Sequence, residues 1–307
     1  MIEFEKVTKY YKDTKALDDI SFRIDNEKTT GIIGHNGAGK TTMFMVANGL
    51  TKIKQGEVRI NDYTLSRNRK KLQESTGLFT DRLHLYNILT VKECIMYFLR
   101  VNKRSSTSYA ELADSFCFAG YEKKQIADLS TGMLKRVLLA VSMINQPRVL
   151  FLDEPFTGLD PESRREFAKV VKRAQQQYGT QILIASHDLW ELETLIDNLL
   201  LLQNGRLIVN SSLQELMKTY FPATVMAIEL FTGNRNDLLY LQQEAKKASG
   251  TRIDPIPGTD EEIYKFHIDS GFFQQFLKLV PEGIRILSIR DLQPSLDELY
   301  FKITNLQ

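Results

Sequence analysis

An α/β fold is predicted by three observations. Four short runs, Thr30 to Gly34, Thr76 to Phe79, Arg148 to Leu152 and Gln181 to Ala185, are almost wholly apolar and rich in strand formers, as strands buried on both faces must be. Helical patterns separate these runs, so strands alternate with helices instead of pairing as hairpins. A glycine-rich loop joins the first run directly to a helical stretch.

That loop, Gly34-His35-Asn36-Gly37-Ala38-Gly39-Lys40-Thr41-Thr42, fits GxxxxGK[ST]. Glycines let backbone N–H groups wrap an anion, and the following helix start adds partial positive charge, so the segment reads as a phosphate-binding loop. Lys40 is expected to reach the β- and γ-phosphates and Thr41 to ligate Mg²⁺. From about residue 82 the pattern is mostly helical, with Val91 to Val101 and Ser108 to Ala119 as candidate helices. An inserted helical subdomain over about 82–145 is expected. Gly132 to Asn145 sets Leu134, Val137, Leu138, Val141 and Ile144 on one helical face and leads into the Arg148 run.

The run Val149-Leu150-Phe151-Leu152-Asp153-Glu154-Pro155 puts two carboxylates at the end of a buried strand. Charge beside four hydrophobes is costly unless something binds it. Asp153 is the natural partner of Mg²⁺ and Glu154 the natural base for an attacking water; the alternative is that both acids leave the strand into solvent as a helix cap.

Near Phe221-Pro222 the pattern breaks. Residues 1–220 are expected to form one domain and 221–307 a small α+β accessory domain. The second reads strand (Met226, Ile228, Leu230), helix (Leu238, Leu241, Ala245), strand (Tyr264, Phe266, Ile268), helix (Phe273, Phe276, Leu277, Val280), strand (Ile284 to Ile289) and a last helix capped by Ser295, with Glu298 three residues on. Phe272, Phe273 and Phe276 are expected in its core. The run Arg67, Arg69, Lys70 and Lys71 is expected on a solvated face.

Composition narrows the function classes. The 307 residues are 43% apolar and 25% charged, with a net charge of +2 and a mean hydropathy of -0.25, which excludes a disordered chain. A chain that coats nucleic acid needs a basic footprint, so no nucleic-acid partner is expected. Cys94 and Cys117 are too far apart for a CxxC pair and are expected as buried small hydrophobes in a reducing compartment. The N-terminus carries no apolar signal core, and the most apolar stretch, Leu195 to Val209, is interrupted by Asp197, Asn198, Gln203, Asn204, Gly205 and Arg206. A cytoplasmic protein is expected, with any membrane span supplied by another chain.

Between the loop and the acidic strand, Leu129-Ser130-Thr131-Gly132-Met133 resembles the LSGGQ signature of ATP-binding cassette (ABC) proteins. Thr157-Gly158-Leu159-Asp160 is similar to that family's D-loop and Ser186-His187-Asp188 to its switch histidine. Tyr11-Lys12-Asp13-Thr14-Lys15-Ala16-Leu17 resembles the segment whose aromatic stacks on adenine. The motifs occur in the family's order across about the first 215 residues.

The resemblance implies a P-loop nucleoside triphosphate hydrolase of ABC type, using ATP and Mg²⁺. Two cassettes, alike or merely similar, would close head to tail on two ATP molecules. Ser130 and the Gly132 backbone would contact the γ-phosphate across the interface, His187 would hold that phosphate and the water in cis, Asp160 would couple the sites, and Tyr11 would carry the adenine. Thr131 and Met133 depart from the signature, while Ser130 and Gly132 keep it. Asp81 stands where the family usually has a glutamine that contacts Mg²⁺ and senses the membrane partner, and is expected as a further Mg²⁺ contact. Leu83 to Thr90 (LHLYNILT) and Pro294-Ser295-Leu296-Asp297-Glu298-Leu299-Tyr300-Phe301 are similar to segments of single-cassette bacterial exporters. The expected function is the ATPase motor of an exporter, peripheral on the cytoplasmic face of the membrane beneath a separate permease. The competing readings are a soluble cassette ATPase and a cassette active only in a heterodimer.

Overall fold

The structure is a computed structural model that describes residues 1–25, 29–81, 83–105, 108–222, 225–232, 234–247, 252–255, 263–292 and 294–305. Arg82 and the side chain of Ala245 lie outside the described residues. Backbone contacts divide the chain into two units, Met1–Leu213 and Gln214–Gln307.

The first unit opens with β1 (Ile2–Tyr11), β2 (Thr14–Ile24), β3 (Thr30–Ile33), α1 (Lys40–Ala47), β4 (Gln55–Ile60) and β5 (Tyr63–Thr64). It continues through α2 (Arg69–Ser75), β6 (Thr76–Thr80), α3 (Val91–Val101), α4 (Ser108–Ser115), α5 (Thr131–Met143), β7 (Val149–Asp153) and α6 (Pro161–Tyr178). Then come β8 (Gln181–Ala185), α7 (Leu189–Glu193), β9 (Asn198–Gln203) and β10 (Arg206–Ser212).

Two sheets result. One has the order β10-β9-β3-β8-β7-β6 and is parallel except for β10. Every residue of β3, β7 and β8 is buried, which is why these strands read as unbroken apolar runs. The other sheet, β2-β1-β4-β5, is antiparallel and was not anticipated from the sequence, because β1 and β2 alternate buried with exposed residues beside charges. Helix α1 packs into the core shared by both sheets: Phe44 is fully buried and meets the Phe151 ring edge-on at 5.1 Å.

Helices α3, α4 and α5 fall between β6 and β7 in the chain. A capping box starts α3: Thr90 Oγ1 accepts from the Glu93 backbone N–H, and the Thr90 N–H donates to Glu93 Oε2 at 2.8 Å, a device worth about 1 kcal/mol. Helix α5 buries Leu139 and Ala140 as well as Val137 and Leu138, so its covered arc is wider than one amphipathic stripe. Cys94 is buried on α3, and burial pushes its thiol up to about 11. Cys117 differs from expectation and is exposed, because α4 ends at Ser115 and a left-handed residue follows (Cys117 φ 53°). Arg67, Arg69, Lys70 and Lys71 are all exposed as expected, and Arg69 Nε donates to the Gly49 carbonyl at 2.7 Å.

The second unit comprises α8 (Leu213–Tyr220), β11 (Val225–Phe231), α9 (Arg235–Lys247), β12 (Arg252–Pro255), β13 (Ile263–Asp269), α10 (Ser270–Leu279), β14 (Arg285–Leu292) and α11 (Leu296–Asn305). Its sheet is antiparallel in the order β12-β13-β11-β14. Ile228, Leu230, Phe266 and Ile268 form a core with Leu238, Leu241 and Phe276, and Phe272 and Phe273 pack against it. Ser295 and Glu298 exchange the two hydrogen bonds of a capping box at the start of α11.

Candidate functional site

The register of the parallel sheet aligns the carboxyl ends of its strands, where open α/β sheets bind ligands. Thr80 pairs with Asp153, Asp153 with Ala185, and Ile32 with Ala185. The residues that follow, Gly34, Asp81, Glu154 and Ser186, therefore leave the sheet at one edge.

The loop after β3 turns tightly enough that only glycine fits at two points. A Cβ on Gly34 would lie 2.3 Å from the Leu202 carbonyl oxygen, and one on Gly39, whose φ is 107°, would lie 2.7 Å from that of Ala16. His35, Asn36 and Gly37 are exposed at the crest and Ala38 is buried beneath it. His35 Nε2 lies 3.2 Å from Asn204 Oδ1. Gly39 caps α1 without a side chain, so the N–H groups of the first turn, Thr41 and Thr42 included, stay directed to an incoming anion.

Lys40 is buried, and its ammonium donates to the Gly34 carbonyl at 2.6 Å and lies 3.8 Å from Glu154 Oε1. Burial holds its proton more loosely than usual, against the pull of the Glu154 and Asp153 carboxylates. Thr41 Oγ1 donates to Asp153 Oδ1 at 3.1 Å. A hydroxyl and a buried carboxylate form an oxygen-only donor set, which fits Mg²⁺, an ion that binds through one or two carboxylates plus substrate phosphates. Among the described residues no group of three His, Cys, Asp or Glu is placed to hold a metal alone.

Glu154 sits in a left-handed turn, φ 49°, with its N–H bonded to the Ala185 carbonyl at 2.9 Å. That conformation is uncommon for a residue with a Cβ and is kept where surrounding contacts demand it. It aims the carboxylate sideways along the sheet edge, where Oε2 meets His187 Nδ1 at 2.7 Å. The Glu154 carboxylate thus stands between Lys40 and His187.

Other expected residues lie elsewhere on the unit. Tyr11 ends β1, 43% exposed, with the Lys9 ammonium 4.6 Å from its ring centroid and its hydroxyl beside Met45 of α1. Ser130 caps α5, its Oγ accepting from the Met133 N–H. Gly132 lies in the first turn of α5, and a Cβ there would meet Ser163 Oγ at 3.4 Å. Asp160 caps α6 by accepting from the Glu162 and Ser163 N–H groups and the Ser163 hydroxyl, and the hydroxyl bond leads in lowering its carboxyl below the usual range. Gly158 faces Thr131, so the signature-like and D-loop-like segments share one surface. Asp81, expected as a further Mg²⁺ contact, pairs with Lys135 at 3.3 Å.

Lys135, Arg164 and Glu191 escaped the sequence reading. Lys135 is 3% exposed and donates to the Pro155 carbonyl at 2.8 Å. Arg164 donates to Asp188 Oδ2, to the buried Glu191 Oε1 and to the Leu159 carbonyl. Only Lys135 had a visible signal, a lysine set within the apolar pattern from Leu134 to Val141.

A family model described as ABC transporter matches residues 17–157. Over 292 residues the chain is 30% identical to an uncharacterised ABC transporter ATP-binding protein, YhaQ, of Bacillus subtilis (strain 168), covering 90% of this chain and 93% of that one. Across 99% of its length it is 27% identical to 84% of the Nod factor export ATP-binding protein I of Neorhizobium galegae. Among solved structures, cbiO1 from Clostridium perfringens, part of the ABC transporter complex cbiONQ, superposes with a TM-score of 0.63 at 28% identity, covering 71% of this chain and 93% of that chain.

Proposed function

The chain belongs to the ABC transporter ATP-binding proteins, and from that membership we propose that it hydrolyses ATP to drive an exporter. In this reading it works as a head-to-tail dimer of cassettes on the cytoplasmic face of the membrane, beneath a separate permease. The likeness to the Nod factor export protein supports export.

The observation that carries the reading is the Glu154 carboxylate between the Lys40 ammonium at 3.8 Å and His187 Nδ1 at 2.7 Å. The loop N–H groups and Lys40 hold the β- and γ-phosphates, and Tyr11 holds the adenine. Glu154 accepts the proton of the attacking water. With Nδ1 engaged by Glu154, His187 has Nε2 to offer the γ-phosphate. Thr41 and Asp153 would hold Mg²⁺, which neutralises phosphate charge when bound. Ser130 and the Gly132 N–H meet the γ-phosphate of the facing chain, with Asp160 at the seam.

Among the described residues no helix is long and apolar enough to cross a membrane. An open groove of about 470 Å³, lined by Asp81, Leu83, Leu85, Leu134 and Lys135 among others, borders a segment in which Tyr86 and Ile88 are 64% and 81% exposed. Exposed apolar side chains beside a groove suit a protein partner, which supports placing the permease there.

Glu154→Gln tests the reading, with Mg-ATP turnover and light scattering as measurements. Turnover is expected to fall about 10²- to 10⁴-fold, and the variant to form an ATP-trapped dimer. Turnover close to that of the parent would move the base elsewhere. ATP binding without dimerisation would mean that a different cassette completes the site.

A further inference from the structure

Lys135 is a buried cation on α5. Its side chain is 3% exposed, and the cost of taking an ammonium from water is recovered only through good partners. The partners all belong to the candidate site. Nζ donates to the Pro155 carbonyl at 2.8 Å and to the Glu154 carbonyl at 3.5 Å. It lies 3.3 Å from Asp81 Oδ1 and 5.8 Å from the centroid of the Phe79 ring. One ammonium from α5 thus joins the turn carrying Glu154 to the residue that follows β6.

The turn needs holding. Glu154 adopts the left-handed conformation, which is strained for a residue with a Cβ. Lys135 donates to the carbonyls of both residues of the turn, Glu154 and Pro155, and the Glu154 carbonyl also accepts from the Thr157 N–H at 3.4 Å. Asp81, half exposed, and Lys135 both line the groove beside the Leu83 to Leu85 segment.

We infer that Lys135 is the positioning residue for the Glu154 carboxylate, and that Asp81 acts on hydrolysis through Lys135 and not on the reacting atoms. The inference rests on the reading of Glu154 as the base. Whatever engages Asp81 from the groove then alters the grip on the Glu154–Pro155 turn, and Asp81 needs no magnesium contact to affect turnover.

The experiment is steady-state Mg-ATP hydrolysis by the full chain in six forms: parent, Glu154→Gln, Lys135→Met, Lys135→Arg, Asp81→Asn and the Lys135→Met/Asp81→Asn double variant. Lys135→Met should lower kcat about 10- to 100-fold, as small misplacements of a catalytic group do, with KM for ATP within about twofold of the parent. Lys135→Arg should restore most of kcat. Asp81→Asn should lower kcat by a smaller factor, and the double variant should match Lys135→Met alone.

Parent-like kcat in Lys135→Met, or a rise in KM that accounts for its defect, would overturn the inference. A double variant as slow as the product of the single effects would overturn the role given to Asp81, as would parent-like kcat in Asp81→Asn. If Glu154→Gln still turns over, the base reading itself fails; if it is inactive while Lys135→Met is not impaired, only the positioning role falls. Should Lys135→Met fail to fold by circular dichroism, Lys135→Arg and Asp81→Asn decide, the first expected to keep most of kcat and the second to lower it measurably at constant KM. The reverse pattern overturns the inference.

Discussion

The mouth of the phosphate loop and the face that carries Ser130, Gly132 and Asp160 are both made from helix starts, yet their side chains have different partners. At the loop, groups distant in sequence converge: Thr41 meets Asp153, and Lys40 and His187 meet Glu154. At the other face Ser130 accepts from Met133, and Asp160 from Glu162 and Ser163, all within three residues. The first arrangement places opposite charges where a phosphate and a water would react. The second leaves a stiff, capped helix start whose backbone N–H groups still attract an anion. Under the proposed function, the difference teaches that one chain would supply a reacting centre and a complementary face, which is why that function needs two cassettes.

The largest expected effect separates the two regions. In Gly132→Asp the new Cβ would meet Ser163 Oγ at 3.4 Å, an ordinary contact distance, and an acid suits the first turn of a helix. The charge would repel a γ-phosphate brought by a second chain. Turnover should fall about 10²-fold or more, as when an oxyanion donor is lost, while ATP affinity of the single chain by calorimetry holds. Parent-like turnover would break the comparison.

Lys40→Ala works on the other region. Removing a charge-assisted contact of about 1.5–3 kcal/mol should weaken ATP binding roughly 10- to 100-fold, read by the same calorimetry. Parent-like affinity would mean that the loop backbone suffices.

The smallest effect concerns the brace between the regions. Arg164 holds the Leu159 carbonyl, next to Asp160, and Asp188, next to His187. It also pairs with Glu191, whose side chain is 5% exposed. Burial raises the Glu191 carboxyl above its ordinary 4.5, against the lowering influence of Arg164. The folded chain therefore binds this proton more tightly than the unfolded chain, a contribution that is full below pH 4.5 and lost as pH rises through the folded value. Relative to the parent, Glu191→Gln should gain stability from about pH 4.5 to about pH 7.5, by less than about 2 kcal/mol. Urea midpoints at the two pH values check the sign, and parallel curves would show that Arg164 neutralises Glu191 completely.

Much of the site was legible because its parts are local. The phosphate loop declares itself through glycines whose Cβ atoms would strike carbonyls, and Asp153 and Glu154 through carboxylates at the end of a five-residue buried strand. The Ser295–Glu298 cap could be read for the same reason, its partners lying three residues apart. The antiparallel sheet of β1, β2 and β4 was less legible, since a half-exposed strand needs its neighbours to show which face is inside. The exposure of Cys117 likewise depends on where α4 stops.

The sequence by itself determined the four buried strand runs with the helices between them, the phosphate loop and the acidic strand end, because each follows from residue type and short-range sterics, whereas the switch-like histidine was marked only by the resemblance. Only the tertiary structure decided which charges meet. Lys135 finds Asp81 across 54 residues of sequence and Pro155 across 20, and Arg164 finds Asp188 and Glu191 across 24 and 27. Such pairings depend on strand register and helix packing, which bring distant side chains within a few ångströms of one another, and no local pattern along the chain encodes that distance.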